Sequence, residues 1–427
     1  MPDAKFYNLL ARLYDEINDK IGKTEFKSII FDQIDDKVDT HKRSILYQQC
    51  ENDIECKNVN KDRASIYFEY MKLIDYETGT VCQNNSTISL DTPLNDDYID
   101  VIEIYGTYNS IHHNRMSNDN FNCLFPHLVF FYKKKAFQKK YKLNNYYYDN
   151  DKDEIIITYI PYPLYNQGDN ITPSGNKFSC IKKESYTTND ELYLERINYA
   201  LKNEESDLIF GPEIDGSELL NQKILNVVKE FKNKFVSCPS YHVLKGNERY
   251  NLSTLICNND IIPNIIEIYK NFPAEFTEGK KKENINGKYE LTLLHIRKIG
   301  KILILICKDY ITTDINCFIE ELNIDIVIVI ACTKKTEAFQ SKIDSLRINK
   351  QYTIMGNSCS VFYEENEKGP VFIYSNKNKI NTKKCNFSKE DCLNIKDCMF
   401  SLRISSKQDK YNNSCLEIVE LKGALQK

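Results

Sequence analysis

Three side chains of complementary chemistry stand at the ends of apolar runs: Glu213 in DLIFGPEI, Lys270 in EIYKNFP and Cys307 in LILICKD. Lys270 follows Glu213 by 57 residues, and Cys307 follows Lys270 by 37. Parallel α/β sheets place their chemistry where buried strands end and the backbone turns out of the core. A glutamate or lysine beside an apolar strand is costly unless an opposite charge lies next to it. Together the three supply a base, a cation and a thiol. A thiol of ordinary pKa, ~8.5, is mostly protonated at neutral pH and needs a neighbouring base to act as a nucleophile.

The elements that must position them follow from periodicity. Residues 302–307 form an unbroken apolar run rich in isoleucine, the pattern of a strand buried on both faces. A polar turn at Lys308 and Asp309 leads into a segment with Ile311, Ile315, Phe318, Ile319 and Leu322 at helical spacing, and 324–331 is a second buried strand. This β-α-β unit requires a parallel sheet. It puts Cys307 at a strand-to-helix junction, where helix amides would stabilise negative charge on the sulfur. Position alone does not assign the residue, since the chain has 15 cysteines and free cysteine is often buried.

The totals bound the class. A chain of 427 residues is long for one domain, and 41% hydrophobic with 28% charged residues suits a globular protein with a real core. The net charge of −4 gives no global case for nucleic acid or an anionic membrane. The odd number of scattered cysteines favours reduced thiols in the cytoplasm over a secreted, cross-linked chain. Cys385, Cys392 and Cys398 have the wrong gaps for a zinc site, so no metal is expected. The charged N-terminus lacks a signal-peptide core, and no run reaches the roughly 20 apolar residues of a membrane helix.

In chain order, residues 1–150 read as a mainly helical accessory domain, with a strand near 98–105 and His112 and His113 on the surface. The lysine–aromatic run at 125–148 could bind nucleic acid, with cations on phosphates and rings on bases. In this net-acidic third of the chain it reads instead as a helix with solvated lysines, so nucleic acid is disfavoured as a partner. Residues 151–176 read as a linker with an extra strand. From 177 to 427 the text alternates: strands near 207–210, 235–238, 253–257, 265–269 and 352–355, a helix at 336–350, a hairpin at 361–374, a polar insertion at 376–400, and closing strands at 401–404 and 415–421.

Over about residues 177–422 the sequence resembles the nitrilase, or carbon–nitrogen hydrolase, superfamily, through DLIFGPEI, EIYKNFP and LILICKD in that order. The resemblance implies an α/β fold, the α-β-β-α sandwich of that family, here with an additional mainly helical N-terminal domain. It implies Glu213 as general base, Lys270 as oxyanion stabiliser and Cys307 as nucleophile, with Glu275 resembling the family's second glutamate. Glu275, Lys308 and Asp309 would bind substrate, the Lys308 N–H also facing the oxyanion. Arg347 and Asn357 resemble the family's arginine helix and following strand. Lys308 stands where an aromatic or small residue is usual, and Glu275 follows Lys270 more closely than in most members.

The expected activity is hydrolysis of a small-molecule, non-peptide amide through a cysteine thioester, without a cofactor. The alternative is a catalytically altered, nitrilase-like binding or regulatory module whose N-terminal domain carries partner or nucleic-acid interaction. A homodimer is the expected assembly, with Phe339 and Ile348 as contact candidates because they fall off the main face of the 336–350 helix.

Overall fold

The computed structural model describes residues 4–30, 40–81, 86–89, 99–103, 128–132, 141–148, 152–164, 171–174, 176–180, 187–260, 262–276, 281–322, 324–348, 351–362, 369–376, 378–384, 398–408 and 414–421. The first segments are helices α1 (Ala4–Lys20), α2 (Lys23–Ile30), α3 (Arg43–Glu55) and α4 (Ala64–Val81). On α1, Leu9, Leu10, Leu13, Tyr14 and Ile17 recur at helical spacing, and all are buried against Tyr67, Tyr70, Met71 and Ile74 of α4. A buried carboxylate in this helical core, Asp53, is matched by Arg63 at 2.5 Å and by the Tyr67 hydroxyl at 3.1 Å.

Two large sheets follow. The one that leads to Glu213 and Lys270, here the glutamate sheet, runs Tyr241–Lys245, Glu248–Cys257, Phe235–Ser237, Leu208–Phe210, Glu154–Tyr159, Phe400–Gln408, Ser414–Leu421, with Ile265–Tyr269 also paired to Glu248–Cys257. Its two faces can be read from alternate residues. Ile209, Val236 and Ile256 face helices α5 (Thr187–Lys202) and α6 (Glu218–Val228), joining Tyr193, Ile197, Leu220 and Ile224. Their neighbours Leu208, Phe210, Phe235 and Leu255 face the other way, into the larger core.

The second sheet, here the cysteine sheet, has the order Ser86–Ser89, Lys142–Tyr148, Glu290–Ile296, Gly300–Ile306, Ile326–Ala331, Tyr352–Asn357, Pro370–Ser375, Ile380–Lys384. Gly300–Ile306, Ile326–Ala331 and Tyr352–Asn357 are parallel, as the β-α-β reading requires. They are connected by α7 (Thr313–Glu321) and α8 (Glu337–Ile348), whose Ile315, Phe318, Ile319, Ile343 and Leu346 join the same core. Every residue from Gly300 to Ile306 and from Ile326 to Ala331 is buried, because helices cover one face and the glutamate sheet the other. The layers are therefore helix, sheet, sheet, helix. A separate four-stranded sheet, Glu275–Phe276, Lys281–Glu283, Lys177–Cys180, Ile171–Ser174, completes the pairing relevant to the site.

Several expectations change. Residue 150 falls between strands of the sandwich: Lys142–Tyr148 pairs with Glu290–Ile296 in the cysteine sheet, and Glu154–Tyr159, the extra strand expected beside the linker, lies inside the glutamate sheet. The run at 125–148 holds strands Leu128–Tyr132 and Lys142–Tyr148 rather than a helix, in keeping with the strand preference of its aromatic residues. Its lysines at 133–135 and 139–140, like His112 and His113, lie outside the described residues. The hairpin expected at 361–374 is instead Pro370–Ser375 with Ile380–Lys384, turned through Asn376, whose Oδ1 accepts the N–H groups of Asn378 and Lys379. Phe339 does not face outward as a dimer contact but stacks on Tyr310 at 6.1 Å; the Ile348 side chain lies outside the described residues.

The two sheets are locked at Tyr159. Its ring stacks on Phe372 of the opposite sheet at 5.8 Å, its hydroxyl donates to the Asn357 carbonyl at 2.7 Å, and Gly356 leaves room for it. A Cβ at Gly356 would lie 2.3 Å from that ring. Tyr159→Phe, which loses the hydroxyl alone, should cost about 1 kcal/mol. Tyr159→Ala, which empties the inter-sheet space, should cost about 3–5 kcal/mol. Urea unfolding followed by circular dichroism checks both, as midpoint shifts at constant slope.

Candidate active site

Glu213, Lys270 and Cys307 each follow the last residues of a strand and converge from the two sheets. Glu213 stands three residues past Leu208–Phe210 in a loop pressed against residues 238–240. A Cβ on Gly211 would lie 2.5 Å from the Tyr193 hydroxyl, and one on Gly216 would lie 2.0 Å from the Pro239 carbonyl oxygen. Only glycine permits this approach on either side of the glutamate. The loop is further held by Ser240 N–H to Pro212 O at 3.0 Å and by Ser217, which caps α6 through the Leu220 N–H at 3.1 Å. The Glu213 N–H reaches across to the Ala331 carbonyl of the cysteine sheet at 3.3 Å.

Cys307 directly follows Gly300–Ile306 and adopts φ +47, the left-handed region that costs a non-glycine residue about 1–2 kcal/mol. This abrupt turn takes the side chain out of the strand direction, and the residue is 6% exposed. The segment after it is a single 3-10 turn, Cys307–Ile311; α7 starts only at Thr313, because Thr312 is extended. The polar turn expected at Lys308 and Asp309 is this 3-10 turn, and the main helix, with its dipole, begins six residues after the cysteine rather than at the strand-to-helix junction.

Lys270 is the hub. Its Nζ donates to Glu213 Oε1 at 2.5 Å and to Glu283 Oε2 at 2.7 Å, with all three side chains buried. Asn251 Nδ2 donates to the same two carboxylates, to Glu213 Oε1 at 3.1 Å and to Glu283 Oε1 at 2.9 Å. Glu283 receives two more donors: the Ala274 N–H on Oε2 at 2.8 Å and His242 Nε2 on Oε1 at 2.9 Å.

These unequal surroundings drive the two carboxyls apart. Burial pushes both upward. Glu283 is nevertheless held well below the usual carboxylate range by the Lys270 charge and by its His242 and Ala274 donors. For Glu213 burial prevails, with the Glu283 charge adding to it and Lys270 opposing, so its pKa is raised. Burial alone would lower Lys270, but the two carboxylates hold it well above its ordinary value. Burial and the Glu213 charge push the Cys307 thiol up, against Lys270 and the Cys332 backbone N–H. Glu213 and Cys307 also act on one another, the glutamate charge raising the thiol and the thiol favouring the glutamate's ionised form. A thiol that keeps its proton thus faces a carboxyl of raised proton affinity, next to a fixed cation.

No family model matches the sequence, and neither does a curated protein. Similar solved structures include a glutamine-dependent NAD+ synthetase from Acinetobacter baumannii, at 14% identity and TM-score 0.41, covering 63% of this chain and 48% of that one. Nit3 from Saccharomyces cerevisiae, a nitrilase-superfamily member, aligns at 13% identity and TM-score 0.39, over 53% of this chain and 84% of that one. An amidase from Nesterenkonia sp. aligns at 11% identity and TM-score 0.37, over 62% and 90%. The chain spans about half the length of the NAD+ synthetase. At these identities and TM-scores the site stands on its own geometry.

Of the other expected site residues, Glu275 lies outside the cluster. It is exposed, and its carboxylate pairs at the surface with Lys308 Nζ at 3.7 Å. The glutamate beside the lysine is Glu283. Glu275 pairs in register with Lys282, so Glu283, one residue on, belongs to the opposite face of that hairpin. Its text, KKKE, reads as solvated charge; the signal for it is the short strand Lys281–Glu283, with only the glutamate buried. Asp309 is buried and ties the two turns together, accepting the backbone N–H groups of Asn271 at 2.8 Å and Phe272 at 2.8 Å directly after Lys270. Asn357 is likewise turned inward, bonding both Thr333 backbone groups at 2.8 Å, and Arg347 pairs with Asp344 at 2.7 Å. Among the described residues no group of three or more His, Cys, Asp or Glu could hold a metal ion. A cavity of about 290 Å³ lies at the opposite end of Leu208–Phe210, where its lining residues Asp207 and Lys234 pair at 2.8 Å, apart from this cluster.

Burial pushes Asp309 up to about 7, against the two backbone donors and the Lys270 charge. A raised folded pKa means that the folded chain holds this proton more tightly than the unfolded one. The associated stability is full below about pH 4 and is lost as pH rises through about 7. The unfolding free energy of wild type, relative to Asp309→Asn, should therefore fall between about pH 4 and pH 8. Denaturant titrations at several pH values check this, and a flat difference would contradict the assignment.

Proposed function

We propose that the chain is a carbon–nitrogen hydrolase of the nitrilase type, an amidase that cleaves a small non-peptide amide through a thioester on Cys307. The observation that carries this reading is the pair of carboxyls around Lys270, one held ionised and one of raised proton affinity beside the thiol. Glu213 takes the Cys307 proton as the sulfur attacks the amide carbon. The tetrahedral oxyanion is held by an N–H of Lys270 and the backbone N–H of Lys308. Two of the three ammonium protons of Lys270 go to Glu213 and Glu283, which leaves the third for the oxyanion. Glu213 then protonates the departing amine, and the carbon–nitrogen bond breaks to leave the thioester. Water, deprotonated by Glu213, attacks that carbon and releases the acid and the free thiol. Glu283 stays ionised throughout and keeps the lysine charged.

The order of the motifs and the four-layer arrangement that delivers them to one place support the same reading. Its cleanest test is mass spectrometry of the chain after exposure to a panel of small amides. An acyl mass should appear on the Cys307 peptide and be absent from Cys307→Ala. Glu213→Gln should slow its formation by about 10²–10⁴-fold, the range of a lost general base. Iodoacetamide should also label Cys307 before the other cysteines in wild type. Uniform labelling with Cys307 protected, and no acyl adduct, would favour the non-catalytic module instead.

A further inference from the structure

We infer that His242 is a positioning residue, the clamp that presents Glu283 to Lys270. The inference rests on the reading of Glu213, Lys270 and Cys307 as the reacting groups.

Glu283 does not belong to either large sheet. It ends Lys281–Glu283 in the separate four-stranded sheet, which shares no strand pairing with the sandwich among the described residues. Its backbone N–H donates to the Ala274 carbonyl at 2.8 Å, four residues after Lys270, which places the main chain near the lysine and leaves the direction of the carboxylate to its side-chain partners. His242 is one of them. It lies on Tyr241–Lys245, at one end of the glutamate sheet, on a half-exposed strand, yet its side chain is 1% exposed.

The ring contacts the small sheet twice. Its Nδ1 accepts the backbone N–H of Cys180 at 3.0 Å, and Cys180 ends the strand Lys177–Cys180, which runs parallel to Lys281–Glu283. A nitrogen that accepts carries no proton, so the ring proton sits on Nε2, where it donates to Glu283 Oε1 at 2.9 Å. One imidazole thus grips both the backbone of the small sheet and the carboxylate that this sheet delivers. With Oε1 held by His242 and Asn251, Oε2 is turned to Lys270 and the Ala274 N–H.

Removing the Nε2 donor leaves Oε1 only the Asn251 amide, which Glu213 shares. Glu283 then draws Asn251 and Lys270 away from Glu213, and the base facing Cys307 loses its alignment. The effect on the thiol is indirect, passing from His242 through Glu283 and Lys270 to Glu213.

Two substitutions separate the two ring nitrogens. The amide nitrogen of glutamine reaches where Nε2 lies, whereas the amide oxygen of asparagine replaces Nδ1 but falls short of Glu283. The readout is the rate at which iodoacetamide alkylates Cys307 in the full chain at neutral pH, followed by peptide mass spectrometry, with a melting curve for each variant. His242→Gln should stay within about threefold of wild type, while His242→Asn and His242→Ala should fall about tenfold, the size of one lost hydrogen bond to a charged group. In a Glu283→Gln background, His242→Asn should cause no further loss. Retention by asparagine with loss by glutamine would overturn the inference, leaving His242 as a prop for Cys180. So would an undiminished asparagine effect in the Glu283→Gln background. If His242→Asn does not fold, His242→Gln decides: a wild-type rate supports the clamp, and a rate as low as that of His242→Ala refutes it. Wild type is the control for the underlying reading. If its Cys307 reacts no faster than the other cysteines, the nucleophile assignment fails and the clamp falls with it.

Discussion

Lys270 carries a positive charge into a fully buried position, and an isolated ammonium there would cost several kcal/mol or give up its proton. The remedy is two carboxylates, and neither comes from the strand that bears the lysine. Glu213 arrives from the loop after Leu208–Phe210, Glu283 from the small sheet, and Asn251 from the middle of a third strand bridges both. The charge is thus compensated only when three backbone elements are in place together. Removing one partner of such a buried set costs about 3–5 kcal/mol, because it strands the other charge. The fold of the sandwich and the geometry of its polar cluster are therefore one problem with one solution.

The same economy of placement explains the strained cysteine. Strand Gly300–Ile306 is buried over its whole length, so a residue continuing its direction would point into apolar packing. A left-handed turn at Cys307 breaks that direction in a single residue. What holds the turn is Asp309, two residues on, which accepts the first N–H groups after Lys270. The backbone that aims the thiol is thereby attached to the backbone that aims the ammonium. Glu213 closes the circuit through its own N–H to Ala331, next to the Cys332 amide that faces the sulfur. Each of the three side chains is referenced to another rather than to a distant part of the core.

Much of this was legible before any coordinates. Continuous apolar runs such as IVIVIA announce strands covered on both faces, and the helical spacing of Ile315, Phe318, Ile319 and Leu322 announces what covers one of them. The three motif residues could be placed at strand ends because chain direction and burial are local properties. What escaped was anything decided by pairing across the chain. In the text after Lys270 the nearer Glu275 reads as the partner and the lysine-flanked Glu283 as solvated charge; the hairpin register sends the first to solvent and the second inward. Asp309 reads as a pocket residue from its place beside Cys307, yet its partners are 38 and 37 residues away, in the turn after Ile265–Tyr269. The sequence likewise leaves Lys142–Tyr148 in the accessory domain and Glu154–Tyr159 as an extra strand outside the sandwich. Their partners, Glu290–Ile296 and Phe400–Gln408, lie more than a hundred residues downstream.

Charge counting ties these features to the proposed chemistry. With both carboxylates ionised, the lysine charged and the thiol neutral, the cluster carries one net negative charge. Passing the Cys307 proton to Glu213 leaves that sum unchanged and moves the charge to sulfur. Attack on the amide moves it again, to the carbonyl oxygen. At no point must the buried site accept or lose a whole charge, which in a medium of low polarisability would be the dominant barrier. The reaction instead shifts one negative charge among three positions around a fixed cation. Glu283 is what fixes that cation. Without a second, permanently ionised carboxylate, protonation of Glu213 would leave the ammonium with no anionic partner at the moment the sulfur attacks. The difference in proton affinity between the two glutamates is therefore a requirement of the proposed mechanism, and it arises from the extra donors on Glu283 and from the Glu283 charge acting on Glu213.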